Sequence, residues 1–414
     1  MKKLISLFLI ICIISTLFTT MPVLAKDMTD YMVYTIEEGE VTIEYVNDDF
    51  NDYFNGTIYI PSEIEGYPVT QIREEAFYGC DINFLTIPDT VRVIGYAAFM
   101  DCDIRELDLG NGVEEIHMEA FAGNRRLQEV TIPMSVTYLE GAAFDYCERL
   151  ENIHVEEGNE NYKSIDGVLY TSDMWSLMKF PENKRAEVFR VPDEVYYIGS
   201  TAFLNCHGLE GIETKADSTE YKAVDGVLFD TDMYTLKFYP AGKKDIYYNI
   251  PDSVHTIEYN AFYNNDYLTK IDLGSNLEHI NADAFYSCDS LGFVEIPDTV
   301  WHLGERAFAN CQSLVYAKIG NQVESIGRRA FAYCERLIHL ELSEGTNDIG
   351  ADTFSNCYSL ESIVIPQSIT EIWDETFHRD YLITDIYYRG TEEQWQDVYI
   401  DEYKEIMAKS GDSF

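Results

Sequence analysis

The sequence predicts a repeat solenoid, a rod of stacked coils in which each repeat supplies one β-strand and one returning arc. Eleven phenylalanines recur at intervals of 22 or 23 residues, apart from two intervals of 59 residues. Nine of them directly follow an alanine, and eight are followed three residues later by a cysteine. A repeat this short cannot bury its own apolar face and has to stack on its neighbours. The phenylalanines are Phe77, Phe99, Phe121, Phe144, Phe203, Phe262, Phe285, Phe308, Phe331, Phe354 and Phe377.

The strand of each repeat follows the cysteine. The segment from Leu337 to Leu342 alternates between apolar and polar residues, as a half-buried strand does, and several such strands end at a proline, for example Pro297. In this strand the first, fourth and sixth residues face the core, so the second, third and fifth are expected on the outer face of a parallel sheet.

The arc lies between the repeat valine and the cysteine. The spacing Val-x-x-Ile-Gly-x-x-Ala-Phe predicts a turn and then a short helical or 3₁₀ segment that packs alanine and phenylalanine inward. A glycine recurs in this arc, where we expect a turn with positive φ. These glycines are Gly95, Gly199, Gly304, Gly327 and Gly350.

The complete repeat resembles the unit of the BspA-like bacterial leucine-rich repeat proteins. Ile296-Pro297-Asp298-Thr299-Val300, continuing through Ala307-Phe308-Ala309-Asn310-Cys311 to Leu314, follows that unit closely, and the resemblance extends over about residues 60–389. It implies a leucine-rich repeat solenoid with a parallel β-sheet on one face and short 3₁₀, helical or irregular arcs on the other. It also implies a secreted or surface-displayed protein that binds partners and is not an enzyme.

The two long intervals contain similar inserts. Tyr162–Tyr170 and Tyr221–Phe229 share the pattern Tyr-Lys-x-(Ile/Val)-Asp-Gly-Val-Leu-(Tyr/Phe), and each continues through a polar turn into an apolar run. We predict two β-hairpin-like inserts that leave the solenoid as excursions. They are either structural variants of the repeat or projections that contact a ligand.

The N-terminus predicts secretion. Lys2 and Lys3 precede an apolar run from Leu4 to about Phe18, and Val23-Leu24-Ala25 forms a cleavage-site pattern. We interpret residues 1–25 as a signal peptide, because the apolar run is short for a membrane anchor, which is the alternative. No later segment is apolar enough to span a membrane, so we expect an extracellular, secreted protein.

The predicted organisation is a signal peptide (1–25), an N-terminal β cap (26–68), leucine-rich repeats (69–155), a repeat region with the two inserts (156–250), leucine-rich repeats (251–389) and a C-terminal cap and tail (390–414).

The net charge of the chain limits the classes of partner that it is expected to bind. The formal net charge is -44, with 73 acidic and 29 basic residues. Such a field repels phosphate, so we expect no nucleic acid partner. The acidity either keeps a long secreted rod soluble or attracts basic proteins and cations, and neutral glycans remain open as ligands.

Eight cysteines occupy one position of the repeat, three residues after the phenylalanine. An even number in a secreted protein ordinarily suggests disulfides. However, the same position holds Asn124, Asn265 or Asp380 in the other repeats. Asparagine cannot replace a disulfide partner, but it can replace a buried residue that bonds local backbone, so we predict a structural ladder of free thiols. Its members are Cys80, Cys102, Cys147, Cys206, Cys288, Cys311, Cys334 and Cys357.

The sequence shows no pattern of catalytic, cofactor-binding or metal-ligating residues. The histidines are scattered, no nucleophile elbow, zinc-binding or phosphate-binding motif occurs, and the many carboxylates are explained by a solvated surface. We therefore expect no enzyme activity, no cofactor and no metal site.

The candidate binding site lies on the sheet face. Exposed apolar and aromatic residues on adjacent strands mark interaction sites, although they can also pack under a neighbouring element. We predict that they bind a protein or peptide, for example on a host or neighbouring cell. A carbohydrate-binding function, suggested by the 31 tyrosines, and a purely structural surface spacer are the alternatives. The candidate residues are Lys270, Phe293, Val315, Tyr316, Ile338 and His339.

Overall fold

The computed structural model describes residues 27–400 and shows a solenoid of stacked coils with very little helix. The predicted signal peptide and the tail beyond residue 400 lie outside the described residues. Residues 27–400 form seven hydrogen-bonded sheets, whose parallel strands line two faces of the solenoid. We call the strands of one face together the first sheet and those of the other face the second sheet. One strand of each regular coil joins the first sheet, whose strands are mostly three or four residues long, and one joins the second sheet, whose strands are mostly two residues long.

The N-terminal part contains twelve strands, a one-turn helix and two 3₁₀ helices. The elements are a 3₁₀ helix (Met28–Tyr31), β1 (Met32–Glu37), β2 (Glu40–Val46), α1 (Phe50–Tyr53), β3 (Gly56–Tyr59), β4 (Glu63–Ile64), β5 (Tyr67–Ile72), β6 (Ile82–Thr86), β7 (Val93–Ile94), β8 (Glu106–Asp108), β9 (Glu115–Ile116), β10 (Glu129–Ile132), β11 (Tyr138–Leu139), a 3₁₀ helix (Gly141–Phe144) and β12 (Asn152–Val155). Strands β3, β6 and β8 and the pair β10–β12 belong to the first sheet, and the order β1-β2-β5-β7-β9-β11 forms the second.

The middle part contains the two inserts. Its strands are β13 (Tyr162–Ile165), β14 (Val168–Thr171), β15 (Ser176–Lys179), β16 (Phe189–Arg190), β17 (Tyr197–Ile198), β18 (Ile212–Glu213), β19 (Tyr221–Val224), β20 (Val227–Asp230) and β21 (Thr235–Phe238). Each insert is an antiparallel meander, β13-β14-β15 or β19-β20-β21, whose last strand pairs in parallel with the next strand of the second sheet.

The C-terminal part is the most regular. It comprises β22 (Tyr247–Asn249), β23 (Thr256–Ile257), β24 (Lys270–Asp272), β25 (His279–Ile280), β26 (Phe293–Glu295), β27 (His302–Leu303), β28 (Tyr316–Lys318), β29 (Ser325–Ile326), β30 (His339–Glu341), β31 (Asp348–Ile349), β32 (Ser362–Ile365), β33 (Glu371–Ile372), β34 (Asp385–Tyr388), α2 (Glu392–Asp397) and β35 (Tyr399–Ile400). The even-numbered strands form a seven-stranded stretch of the first sheet, and the odd-numbered strands continue the second.

The repeat phenylalanines stack in the core. All but Phe377, which is half-buried, are buried. Between neighbouring regular coils the ring centroids lie 4.6 to 6.0 Å apart in near-parallel planes. This spacing follows the separation of strands in a sheet, about 4.8 Å, because each coil adds one strand to each sheet. The ends of the stack are covered by aromatic residues: Phe50 lies edge-on to Phe77, and Trp395 of α2 packs on the last coil.

The stack has two members that the sequence pattern concealed. Phe180 stands 23 residues before Phe203, and Tyr239 stands 23 residues before Phe262. Their backbone N–H groups donate to Ala202 and Ala261 at 2.8 Å, in the way that each ladder phenylalanine bonds to the next coil. Each interval of 59 residues is therefore a hairpin-bearing coil of 36 residues followed by a regular coil of 23.

The hairpins lie inside the solenoid, whereas the sequence analysis expected excursions from it. Side chains along β14 alternate between two cores: Leu169 packs with the N-terminal core, and Val168 and Tyr170 pack with the middle core. In β20, Leu228 packs with the middle core and Val227 with the C-terminal core. Both strands are covered on both faces, so each hairpin separates two neighbouring parts of the apolar core, and the two hairpins together divide it into three clusters.

Hydrogen bonds hold each hairpin across the interior. At its tip, the N–H of Ile153 donates to the Gly167 carbonyl at 2.9 Å, and the N–H of Ile212 donates to the Gly226 carbonyl at 2.9 Å. At the other end of the first hairpin, the N–H of Leu139 in the second sheet donates to the Tyr162 hydroxyl at 2.7 Å. The hairpin thus reaches from the second sheet to the first.

A buried charge cluster lies beside the first hairpin. The Lys179 ammonium is 2.5 Å from Asp145 Oδ1 and 3.3 Å from Glu182 Oε1, and all three side chains are almost fully buried. It also donates to the Thr201 carbonyl at 3.5 Å, while the N–H of Tyr146 donates to Glu182 at 2.7 Å. The Glu182 Oε2 atom is buried without a hydrogen-bond partner. Burial raises the pKa of Glu182 to about 7 despite the neighbouring ammonium.

The glycines of the arc allow the backbones of neighbouring coils to pack closely. The expected positive φ is wrong for all five, since the left-handed residues of the arc lie two positions later, as at Arg306 and Arg329. The reason for glycine is the neighbouring coil. A Cβ on Gly327 would lie 2.5 Å from the Gly304 carbonyl group, and one on Gly304 would lie 2.5 Å from the Ala282 nitrogen. Gly199 is less constrained, because its nearest contact would be 3.5 Å away.

Candidate functional site

The predicted binding residues lie on consecutive strands of the first sheet. The parallel register pairs Lys270 of β24 with Phe293 of β26, Phe293 with Tyr316 of β28, and Tyr316 with His339 of β30. Residues paired in a parallel ladder point to the same face, so these four side chains form one row. The core residues between them, such as Val294, Ala317 and Leu340, are buried on the opposite face.

The centre of the row is a stacked aromatic pair. The rings of Phe293 and Tyr316 lie 4.8 Å apart with an interplanar angle of 7°. Phe293 is 37% exposed, and Tyr316 is half-buried. Partial burial and a hydrogen bond to Glu341 raise the pKa of the Tyr316 hydroxyl to about 12.

Val315 and Ile338 lie directly before β28 and β30 and are half-buried. Their N–H groups are occupied by the neighbouring coil, with Val315 donating to Gly292 at 2.9 Å and Ile338 donating to Val315 at 3.0 Å. They broaden the apolar surface beside the aromatic pair. His339 and Lys270, which end the row, are exposed.

Tyr247 extends the row by one strand and was missed in the sequence analysis. It pairs with Lys270 in the register of β22 and β24, is 49% exposed, and has the Lys270 ammonium 5.8 Å from its ring centroid. This distance permits a cation–π contact. Counting back 23 residues from Lys270 would have found it, but the hairpin-bearing coil hides the repeat frame there. We call the following residues the first-sheet patch: Tyr247, Lys270, Phe293, Val315, Tyr316, Ile338 and His339.

Charged side chains border the first-sheet patch. Asp272, Glu295, Lys318 and Glu341 occupy the outward position two residues beyond each row member. Lys270, Phe293 and Lys318 also line a shallow depression of about 350 Å³. An apolar centre with a charged rim is the usual composition of a protein-binding surface.

The eight cysteines lie far from the sheet face, inside the arcs. All are buried and unpaired. The Sγ atoms donate to the carbonyl of the ladder aromatic residue in the preceding coil, for instance Cys311 to Phe285 at 3.2 Å and Cys334 to Phe308 at 3.1 Å. Burial raises the pKa of the Cys80 thiol to about 11 and that of the Cys311 thiol further, so these thiols are protonated and weak nucleophiles.

The asparagines in the cysteine position make equivalent bonds. Asn124 Nδ2 donates to the Phe99 carbonyl at 2.8 Å, and Asn124 Oδ1 accepts from the Ile104 N–H at 2.8 Å. Asn265 Oδ1 accepts from the backbone N–H of Leu268, two residues before β24. The shared requirement of this position is a small polar group that bonds the arc backbone.

Residues 27–400 form neither a metal-binding cluster nor a membrane-spanning helix. No group of three His, Cys, Asp or Glu side chains in that range is placed to hold a metal ion. Nor does that range contain a helix long and apolar enough to cross a membrane.

Comparison with known proteins gives one family match. The model of the BspA-type leucine-rich repeat region matches in six copies over residues 54–173, 176–225 and 255–384, which is well over half of the chain. No curated protein matches the chain.

Solved structures with related folds include three bacterial proteins. A leucine-rich cell surface protein from Faecalibacterium prausnitzii is 24% identical, with a TM-score of 0.49, and the match covers 89% of this chain and 96% of the other. A leucine-rich repeat protein from Eubacterium ventriosum is 20% identical, with a TM-score of 0.43 and coverage of 84% and 92%. The pneumococcal vaccine antigen PcpA is 18% identical, with a TM-score of 0.43 and coverage of 90% and 95%.

Proposed function

This chain belongs to the family of BspA-type leucine-rich repeat proteins, and from that premise we propose that it is an extracellular binding scaffold that binds a protein partner through the first-sheet patch. The observation that carries the proposal is the stacked pair Phe293–Tyr316, which is partly exposed on the first sheet and has no covering element among residues 27–400. Exposed aromatic pairs on rigid strands bind with little loss of side-chain entropy, because the rings are already ordered.

The chemistry of the patch favours a protein over a small molecule. The surface is broad and shallow, and its depression is bordered by both carboxylates and lysines. Small-molecule sites are concave and mostly apolar, whereas protein interfaces combine an aromatic centre with a polar rim. The partner is expected to place an apolar side chain on Phe293 and Tyr316 and basic groups near Glu295 and Glu341.

The proposal is tested by comparing variants for retention of a purified partner. The immobilised protein is first used to capture proteins from secretions or from extracts of neighbouring cells, and the retained protein is identified and purified. A double variant, Phe293→Ser with Tyr316→Ser, is expected to weaken its binding by about tenfold or more, because the centre of an interface contributes most of the binding energy.

The matched control changes the same sheet outside the patch. Tyr59 of β3 and Tyr387 of β34 are both exposed on strands of the first sheet, at 66% and 43%. The double variant Tyr59→Ser with Tyr387→Ser should leave binding unchanged. If both double variants bind the identified partner as tightly as the wild type, the patch is not the binding site and the proposal fails.

A further inference from the structure

The second sheet presents a row of aromatic rings to solvent on six consecutive coils, from the Phe180 coil to the Phe308 coil. Each coil contributes two positions that lie between two inward-facing residues, as Glu278 and His279 lie between Leu277 and Ile280, and of the twelve residues at these positions only Ser176 is buried. Eight of these twelve positions hold a tryptophan, tyrosine or histidine. We call the following eight residues the aromatic strip: Trp175, Tyr196, Tyr197, Tyr234, His255, His279, Trp301 and His302.

Rings of the aromatic strip contact one another across three of its five coil junctions. Trp175 lies 5.5 Å from Tyr196 and 5.8 Å from Tyr197, in nearly parallel planes. Tyr234 and His255 stack at 4.3 Å with an angle of 5°. The strip therefore begins as two offset stacks on successive coils.

The strip continues beyond His255. His279 lies 4.2 Å from Trp301 and 5.9 Å from His302. Between Tyr197 and Tyr234 the second hairpin reaches the surface, where Tyr221 donates a hydrogen bond from its hydroxyl to the Tyr196 carbonyl. Tyr221 thus stands where the second hairpin separates Trp175, Tyr196 and Tyr197 from the remaining residues of the strip.

The strip rings are accessible and held in place. Trp175, Tyr196, Tyr234 and Trp301 are 42 to 54% exposed. The backbone beneath them is rigid: the N–H groups of Tyr196 and Tyr197 both donate to the Trp175 carbonyl at 2.9 Å. About half of the surface of each of these four residues is therefore in contact with the protein and half is exposed to solvent, which suits a surface on which a ligand stacks.

The charge of the strip differs from that of the whole chain. Among its twelve outward positions the only charged residue is Glu278, whereas charged residues make up 25% of the sequence. The next coils of the same sheet carry Glu324, Asp348 and Glu371 at these positions. A neutral aromatic row in a protein of net charge -44 complements an uncharged ligand, because an anionic ligand is repelled and a cationic one is drawn to the carboxylates elsewhere.

We propose that the aromatic strip binds a neutral, unbranched polysaccharide along the axis of the solenoid. Aromatic rings stack on the apolar C–H faces of sugars, while the histidine nitrogens and the hydroxyls of Thr235 and Thr256 bond their hydroxyl groups. Within each of its two hydrogen-bonded segments, β15–β17 and β21–β27, strands repeat about every 4.8 Å, so the rings of neighbouring coils meet successive sugars of an extended chain. A strip one or two residues wide fits such a chain better than a compact protein epitope.

This site is separate from the first-sheet patch in position and in ligand, so either proposal can fail alone. The full chain is titrated with neutral β-glucan, xylan and mannan oligosaccharides of increasing length, and binding is followed by calorimetry. We expect at least one series to bind, with affinity that rises with chain length until the strip is filled. Binding should change little between low and high salt, because no ion pair is formed.

Two tryptophan variants test the location. Trp175→Ala and Trp301→Ala, at opposite ends of the strip, are each expected to weaken binding of the longest oligosaccharide by about tenfold. Trp373→Ala is the matched control, since Trp373 is exposed on the same sheet beyond the strip and its indole nitrogen bonds Asp348. This control should bind as the wild type does, and circular dichroism should show that all three variants are folded.

Several results would overturn the proposal. One is the absence of binding to every neutral oligosaccharide series. Another is equal binding by Trp175→Ala, Trp301→Ala and the wild type. Loss of a protein partner in these variants, without any oligosaccharide binding, would assign the strip to a protein ligand instead. Variants of the first-sheet patch, such as Phe293→Ser, should leave oligosaccharide binding intact.

Discussion

The buried cluster of Lys179, Asp145 and Glu182 allows a sharp test of what stabilises the hairpin-bearing coils, because the chain contains an apolar version of it. The second hairpin repeats the first after 59 residues and places Leu204, Phe238 and Ala241 at the corresponding positions. All three are buried. The same architecture therefore exists once with charges and once with apolar side chains.

The perturbation is Lys179→Met. It removes the cation that lies 2.5 and 3.3 Å from two carboxylates whose side chains are 5% and 1% exposed. Two buried carboxyl groups then lose their partner, and we expect a loss of about 3–5 kcal/mol in the free energy of unfolding.

The comparison is the triple variant Asp145→Leu, Lys179→Phe and Glu182→Ala, which transplants the apolar version. Replacing a complete buried ion cluster by well-packed apolar groups is often neutral or stabilising. One cost remains, because the Tyr146 N–H loses its acceptor at about 1–3 kcal/mol. We expect the triple variant to recover most of the loss caused by Lys179→Met.

The assay has to report locally, since long repeat arrays need not unfold in one step. Hydrogen exchange of the Phe180 amide, which bonds Ala202 across the coils, gives the opening free energy at this junction, and denaturant unfolding gives the global value. The reasoning is refuted if Lys179→Met is as stable as the wild type, or if the triple variant is no more stable than Lys179→Met.

Three further predictions concern single positions. The pKa of Glu182 is about 7 in the folded protein, against an ordinary value of 4.5, so the protonated carboxyl stabilises the fold fully below about pH 4.5, and this stabilisation of about 3 kcal/mol is lost as the pH rises through about 7. In Glu182→Gln, the free energy of unfolding measured by denaturant at several pH values should depend less on pH between about 4.5 and 7, and an unchanged slope would contradict this reasoning. Cys311→Asn should be at least as stable as Cys311→Ala in thermal melts, since asparagine bonds the arc backbone in other coils; the reverse order would count against the shared role of this position. Gly327→Ala should lower the free energy of unfolding by about 1–3 kcal/mol, because its Cβ would lie 2.5 Å from the backbone of the preceding coil. Gly199→Ala should stay within about 1 kcal/mol of wild type in the same measurement, and equal losses in the two variants would be inconsistent with the packing argument.

The regular coils were predictable because their signal is repeated. The phenylalanine position, its stacking and the parallel first sheet follow from a period that holds over the five intervals from Phe262 to Phe377. The second sheet was not predicted. Its strands have two residues in most coils, such as Ser325–Ile326, and such a strand is too short for an alternating pattern to be recognised.

The row on the first sheet was predictable for the same reason, since a fixed phase specifies which strand residues face outward. Lys270, Phe293, Tyr316 and His339 lie side by side in the structure. Tyr247 escaped because its strand follows a hairpin-bearing coil. Tyr196, Tyr197 and Tyr234 share no fixed spacing along the sequence, and only the strands of the second sheet show that they occupy equivalent outward positions.

The sequence alone determined the family of fold, the inward residues and the phase of the repeat, because these depend on local spacing and on burial of one apolar face per coil. The tertiary structure decided where the two hairpins go and which distant coils they separate. That choice depends on packing on both sides of β14 and β20, and no local pattern distinguishes a strand that projects into solvent from one that crosses the core. It also decided that two sheets face solvent, and therefore that this solenoid has two exposed sheet surfaces.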